Sequence, residues 1–211
     1  IGNLRHLEVL NLAFNRISGK IPESITKLRR LRELRLGKNQ LAGPIPESVK
    51  QLLNLEVLDL FSNSLTGFIP EGLGELKSLK WLFLSFNTLE GSIPKGLGNM
   101  GALERLELSD NQLLGTIPKE MAQLKNLNTL TLAHNGFTGE IPKEVFDLPN
   151  LVQVQLQDNF FDALDPMDIK NMKSGLAIFY FDGAEKDAKD FKNFNIGVNS
   201  RMADTKFEDE E

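Results

Sequence analysis

The feature that most constrains this chain is a repeat of fixed length. Asn falls at Asn15, Asn39, Asn63, Asn87, Asn111, Asn135 and Asn159, always 24 residues apart. Gly keeps the same step at Gly19, Gly43, Gly67, Gly91, Gly115 and Gly139, and Pro keeps it at Pro22, Pro46, Pro70, Pro94, Pro118 and Pro142. Nothing is inserted or deleted between these copies. In the central copy Leu79, Leu82, Leu84, Asn87, Leu89, Gly91, Ile93, Pro94 and Leu97 form a skeleton that maps onto its neighbours. A unit this short cannot bury its own apolar face, so copies must stack into a solenoid.

The pattern inside one unit predicts its shape. The alternation Leu10-x-Leu12 reads as a short strand with one buried face. One such strand per copy, stacked in parallel, makes a sheet. The Asn sits where the chain leaves the strand, and its amide can both donate to and accept from turn backbone that would otherwise be buried unpaired. Ile17 to Pro22 alternates as well and predicts a second, shorter strand, with Gly19 permitting a bend. Pro22 presets the φ of the segment that follows, and Glu23 to Leu28 has room only for a 3₁₀ or short α turn.

These residues resemble the leucine-rich repeat family. The pattern LxxLxxLxLxxNxLxGxIPxxLGxL is similar to its plant-specific class, for example from Leu55 through Asn63, Leu65, Gly67 and Ile69 to Pro70, and the resemblance runs from about Ile1 to Phe161. It implies an α/β solenoid: a right-handed superhelix with a parallel sheet on its concave side, short 3₁₀ or α turns on its convex side, and partners bound on the concave sheet. Members of the family include receptor ectodomains and polygalacturonase-inhibiting proteins.

Both ends depart from the regular pattern. Ile1-Gly2-Asn3-Leu4 aligns with Leu97-Gly98-Asn99-Met100, so it reads as the tail of an earlier copy and predicts that the natural chain continues upstream. Past Asn159 the 24-residue frame puts Phe161, Pro166, Ile169 and Met172 in the expected slots, then Gly175 in place of the leading Leu and Gly183 in place of the Asn. Leu176 to Phe181 still reads as a strand, a degenerate eighth one closing the stack. The expected organisation is therefore a solenoid over residues 1–183 and a polar, acidic tail over 184–211, in which Phe191, Phe194, Ile196 and Val198 predict some packing.

Composition narrows the function classes. The net charge of −5 argues against nucleic acid as the main partner, and no apolar run is long enough to span a membrane. The chain has no Cys, which removes disulfides and thiolate chemistry, and it has no Asn-x-Ser/Thr acceptor. It thus lacks the paired-Cys caps and glycosylation signals usual in the secreted members of the family.

Function must come from the strand positions that face outward. In the second copy these read Glu33, Arg35, Gly37 and Lys38; in the third Val57, Asp59, Phe61 and Ser62; in the fourth Trp81, Phe83, Ser85 and Phe86; in the fifth Arg105, Glu107, Ser109 and Asp110. Phe61, Trp81, Phe83 and Phe86 fall on adjacent strands and predict one aromatic patch, and patches of that kind centre interfaces. Arg35 and Lys38 would rim it on one side, Glu107 and Asp110 on the other. The cluster Arg29, Arg30 and Arg32 reads as a solvated face. Ser109, Asp110 and His134 lack the strained turn and oxyanion donors of a nucleophile site, and Asp110, His134 and Asp158 would leave a metal ion open to water.

Two readings follow, neither an enzyme and neither requiring a cofactor or metal. One is a recognition module binding a protein or peptide on the concave face. The other is a structural subunit permanently docked in a larger assembly. The absence of Cys and glycosylation signals favours the second, and the plant-type repeat favours the first.

Overall fold

The computed structural model describes residues 1–163 and 176–181. The expected tail, and the slots at Pro166, Ile169, Met172, Gly175 and Gly183, lie outside the described residues.

Each copy contributes one rung to a long parallel sheet. Rungs one to eight are Val9–Asn11, Glu33–Arg35, Val57–Asp59, Trp81–Phe83, Arg105–Glu107, Thr129–Thr131, Gln153–Gln155 and Ile178–Tyr180, hydrogen-bonded in chain order. From rung one to rung seven the register is the sequence period itself, with Leu10 opposite Leu34, Leu34 opposite Leu58 and Leu106 opposite Leu130. A second parallel sheet of seven short strands runs beside the first, from Ser18–Gly19 through Ser64–Phe68 to Phe160–Phe161. It pairs with a different offset: Gln40 faces Ser18 and Gln112 faces Glu90, two residues short of the period.

On the opposite side each of the first six copies carries one short turn. Five are 3₁₀ helices, Glu23–Lys27, Glu47–Gln51, Glu71–Glu75, Lys95–Asn99 and Lys119–Gln123, and the sixth is the α turn Lys143–Phe146. Each begins just after the repeat Pro, whose extended ψ ends the preceding segment. Between strands and turns lies a continuous stack of Leu, Ile and Val, with Leu52, Leu76, Leu79, Leu82, Leu84 and Leu97 wholly buried. Every unit therefore buries its apolar face only against its neighbours.

The Asn column ties these units together. Asn87 donates from Nδ2 to the carbonyls of Leu84 at 3.0 Å and Ser85 at 3.4 Å in its own turn. It also donates to Leu60 of the preceding copy at 3.0 Å, and its Oδ1 accepts from the Leu65 N–H at 3.0 Å. Asn39, Asn63, Asn111, Asn135 and Asn159 repeat this bridging pattern. Asn15 bonds within its own turn, to Leu12 and Ala13, and is exposed. The residue before each Asn has a left-handed backbone, φ 51 to 58°, although none of the seven is Gly. The conformation turns the chain sharply off the strand at some cost for a Cβ-bearing residue.

Rung eight corrects the sequence reading. Val154 pairs with Phe179, and Gln153 with Ile178, so one extra residue separates rungs seven and eight. Leu176, not Gly175, then occupies the leading Leu slot and is buried at 6% exposure, and Phe181 packs against the core. The reason is alternation: a one-residue slip exchanges the two faces of a strand. The unshifted frame would have placed Gly175 where the core requires a Leu.

Candidate functional site

The outward positions of rungs two to seven form the strand face, the side the repeat pattern predicts to be concave. The four predicted rings are all on it, but their contacts fall into two pairs rather than one cluster. Trp81 and Phe83 lie side by side on rung four, ring centroids 6.1 Å apart and planes 29° from parallel. Phe61 and Phe86, which follow the adjacent rungs three and four, meet edge to face at 5.3 Å. Phe86 is 43% exposed because its left-handed turn aims the ring outward. Phe61, Trp81 and Phe83 are half-buried, and Ser85, between the pairs, is buried.

The charged neighbours sit closer than a rim. Arg35 reaches across rung three, where Val57 is small, and places its guanidinium 5.8 Å from the Trp81 ring. From the other side Arg105 lies 5.3 Å from the Phe83 ring. Each arginine is anchored by a carboxylate on its own strand, Arg35 by Glu33 and Arg105 by Glu107, both at 2.9 Å. The Trp81 Nε1–H donates to Glu104 at 3.2 Å. Stacking of guanidinium on indole or phenyl favours both partners and stiffens the rings. Lys38 is placed differently from the expectation: its Nζ lies 4.8 Å from the Phe14 ring, one rung toward the N-terminus.

Burial raises three carboxyls on this face above their ordinary range. For Asp59 the Phe61 N–H, which donates to Oδ1 at 3.0 Å, and the nearby Arg35 offset part of that rise. The carboxylate lies over Gly37, where a Cβ would meet its Oδ1 at 2.6 Å. Burial also raises Glu107, with Arg105 pulling the other way, and raises Asp110, with His134 opposing and Asp158 adding.

Sequence reasoning did not single out Asp59, Arg105 or Glu104 as part of the patch. The signal was available as charge beside the aromatic slots on neighbouring rungs. It also missed a ladder along the edge of the sheet, where Glu56 joins Arg32 and Lys80, the latter at 2.8 Å. Hydrogen bonds from Lys80 and Arg32 hold Glu56 below the usual carboxylate range. Arg29 likewise turns to the Gln51 carbonyl at 2.8 Å. Ser109, Asp110 and His134 do not assemble a triad: His134 Nδ1 pairs with Asp158 at 3.0 Å, and Ser109 Oγ has no hydrogen-bond partner among the described residues. Among those residues no group of three or more His, Asp or Glu is placed to hold a metal ion, and no helix is long and apolar enough to cross a membrane.

Comparison with known proteins agrees with the architecture. Residues 1–113 match the family described as leucine-rich repeat region, and residues 126–148 match a single Leucine Rich Repeat. No curated protein matches the chain. Among solved structures, one similar chain is the ectodomain of the Arabidopsis thaliana receptor kinase GASSHO1/SCHENGEN3 in complex with CASPARIAN STRIP INTEGRITY FACTOR 2. It is 35% identical over 85% of this chain and 21% of that one, with a TM-score of 0.78. Another is the Arabidopsis receptor kinase HAESA ectodomain in complex with an IDA peptide hormone ligand, 31% identical over 86% of this chain and 34% of that one, TM-score 0.65. A plant ice-binding protein is 34% identical over 84% of this chain and 57% of that one, TM-score 0.78. The chain thus spans about one fifth to one third of the two receptor chains. A 24-residue period, a parallel sheet running through every copy, a bridging Asn column and a family match over more than half the sequence lead to one conclusion: this chain belongs to the leucine-rich repeat family, in its plant-type form.

Proposed function

We propose that this chain is a non-catalytic recognition segment that binds a protein or peptide on its strand face, centred on Trp81 and Phe83. The observation that carries the reading is the pair of half-exposed rings held between Arg35 and Arg105 on a rigid sheet. Rings fixed in place offer apolar area without the entropy cost of ordering a loop. The surrounding carboxylates and guanidinium groups supply a polar frame that fixes orientation. The two receptor ectodomains named above are themselves complexes with such ligands, which supports the same class for this chain.

The natural partner is not needed to test this reading. A random decapeptide display library is selected on the full chain, and the affinity of a selected peptide is measured by calorimetry. Trp81→Ala should weaken binding by about 2 kcal/mol, roughly 30-fold, while the circular dichroism spectrum is unchanged. A chain ending at Gly183 should bind like the parent. Substitutions at Trp81 and Phe83 without effect, together with loss of binding on truncation, would transfer recognition to the tail.

A further inference from the structure

The strand face is not level. Rung six presents Thr129, Thr131 and Ala133, all buried, while rung five presents the half-buried Arg105 and Glu107 and rung seven the half-buried Gln153, Gln155 and Gln157. Glu107, Thr131 and Gln155 stand opposite one another in register. Short side chains between long ones leave a furrow one rung wide, its walls about 10 Å apart at the usual strand spacing.

The furrow is lined by acceptors. Glu107 stands on one wall and Gln155 on the other, and Asp110 and Asp158 stand at the same end, one on each side of His134. Facing these three carboxylates is one permanent cation, Arg105, already joined to Glu107. Burial without enough opposing charge is why Glu107 and Asp110 are raised. Three further polar atoms beside the furrow have no hydrogen-bond partner among the described residues: the donor Arg105 Nε, and two atoms that can accept, Ser109 Oγ, on a residue only 8% exposed, and the buried Gln157 Oε1. A buried acceptor without a donor is costly, so each marks a place where a donor is favoured.

We infer that this furrow receives a lysine or arginine side chain of the protein or peptide bound on the strand face. The inference rests on the recognition reading and specifies its ligand. Ammonium and guanidinium groups carry only donors, which matches a lining of carboxylate, amide and hydroxyl oxygens. The methylene stem would lie along Thr129 and Thr131 with the charged head at the carboxylates. An acidic or plain apolar side chain would bring no donor to the Ser109 and Gln157 oxygens and no positive charge to the carboxylates. Rung six is two rungs from Trp81 and Phe83, about 10 Å, which an extended chain crosses in about three residues. The ligand therefore carries its basic residue about three positions from its apolar anchor.

The test uses the same random decapeptide library selected on the full chain. Peptides recovered on the parent should be enriched in Lys or Arg about three positions from an aromatic or Leu. The double variant Glu107→Gln/Asp110→Asn, with its fold checked by circular dichroism, should recover a pool without that enrichment. One Lys-bearing peptide is then compared with its norleucine counterpart. On the parent the exchange should weaken binding about tenfold or more, and on the double variant it should have little effect. Recovered peptides that depend on Trp81 but show no basic enrichment would overturn the furrow assignment and leave the recognition reading standing. An equal norleucine effect on parent and double variant would overturn it too. Recovery of no peptide at all would overturn both.

Discussion

At Asn87 one buried side-chain amide makes four hydrogen bonds, two within its own turn and two to the preceding copy. Replacing it by Ala leaves buried backbone groups unpaired, at about 1–3 kcal/mol for each. Among the described residues the Asn15 side chain bonds only within its own exposed turn. Asn87→Ala should therefore lower stability in a urea titration well beyond Asn15→Ala, and equal losses would mean that the bridge between copies contributes little. Asp59 makes a different kind of prediction. Burial raises its folded pKa, so the native state holds the proton more tightly than the unfolded chain and stability falls as pH rises through that interval. Asp59→Asn keeps an oxygen for the Phe61 N–H and removes the buried charge. It should raise the melting temperature at pH 7 by an amount worth under about 1 kcal/mol, and the gain should vanish below about pH 3.9, where both states are protonated. A gain that persists at pH 3 would point to packing rather than charge. The Asn roles were legible in the sequence because seven copies share them. The raised carboxyl at Asp59 was not, because it depends on how closely the neighbouring rungs, Gly37 among them, bury the carboxylate.

The elements differ in how much of their geometry a repeat pattern can carry. Core positions of the long sheet follow the period, and Leu34, Leu58, Leu82 and Leu106 stack in register as the spacing predicts. The second sheet follows a shorter offset, in strands where Gly67 and Gly91 adopt positive φ, and no spacing of Asn or Pro reveals it. At rung eight the pattern misleads, because one added residue moves Leu176 into the core while the sequence frame points to Gly175. The 3₁₀ turns are held close by glycines: a Cβ on Gly98 would lie 2.3 Å from the Glu120 carbonyl oxygen and one on Gly74 would lie 2.3 Å from that of Gly96. Gly98→Ala must push two turns apart and should cost about 1–3 kcal/mol by thermal denaturation. Gly101→Ala, which meets nothing within 4 Å, should be nearly neutral. Similar losses at both sites would show that local backbone conformation, not the close approach of neighbouring turns, governs these positions.

Across the whole molecule, stability is a sum over neighbouring units. The first copy shows the consequence: Leu7, Leu12 and Ile17 are only partly buried, whereas their equivalents Leu79, Leu84 and Leu89 inside the solenoid are wholly buried. Fusing one copy of residues 73–96 ahead of Ile1, which keeps the 24-residue frame, should cover that end and raise the urea midpoint. An unchanged midpoint would mean that the first rung does not behave as an open end. The same one-dimensional order produces the strand face, where side chains from separate copies meet only because the rungs are in register. The aromatic residues of that face were legible from their slots. Their division into two pairs and the arginines laid on Trp81 and Phe83 were not, because rotamers across rungs depend on neighbours 24 and 48 residues away. Trp81 is also the one tryptophan of the chain, so its emission reports on the centre of the proposed interface and on nothing else. The most direct measurement is the fluorescence spectrum of the full chain titrated with a library-selected peptide whose binding calorimetry has established. The account predicts a saturable blue shift as the half-exposed indole is covered, with the same midpoint as the calorimetric curve. Binding by calorimetry with an unaltered Trp81 spectrum would place the ligand elsewhere and contradict the account.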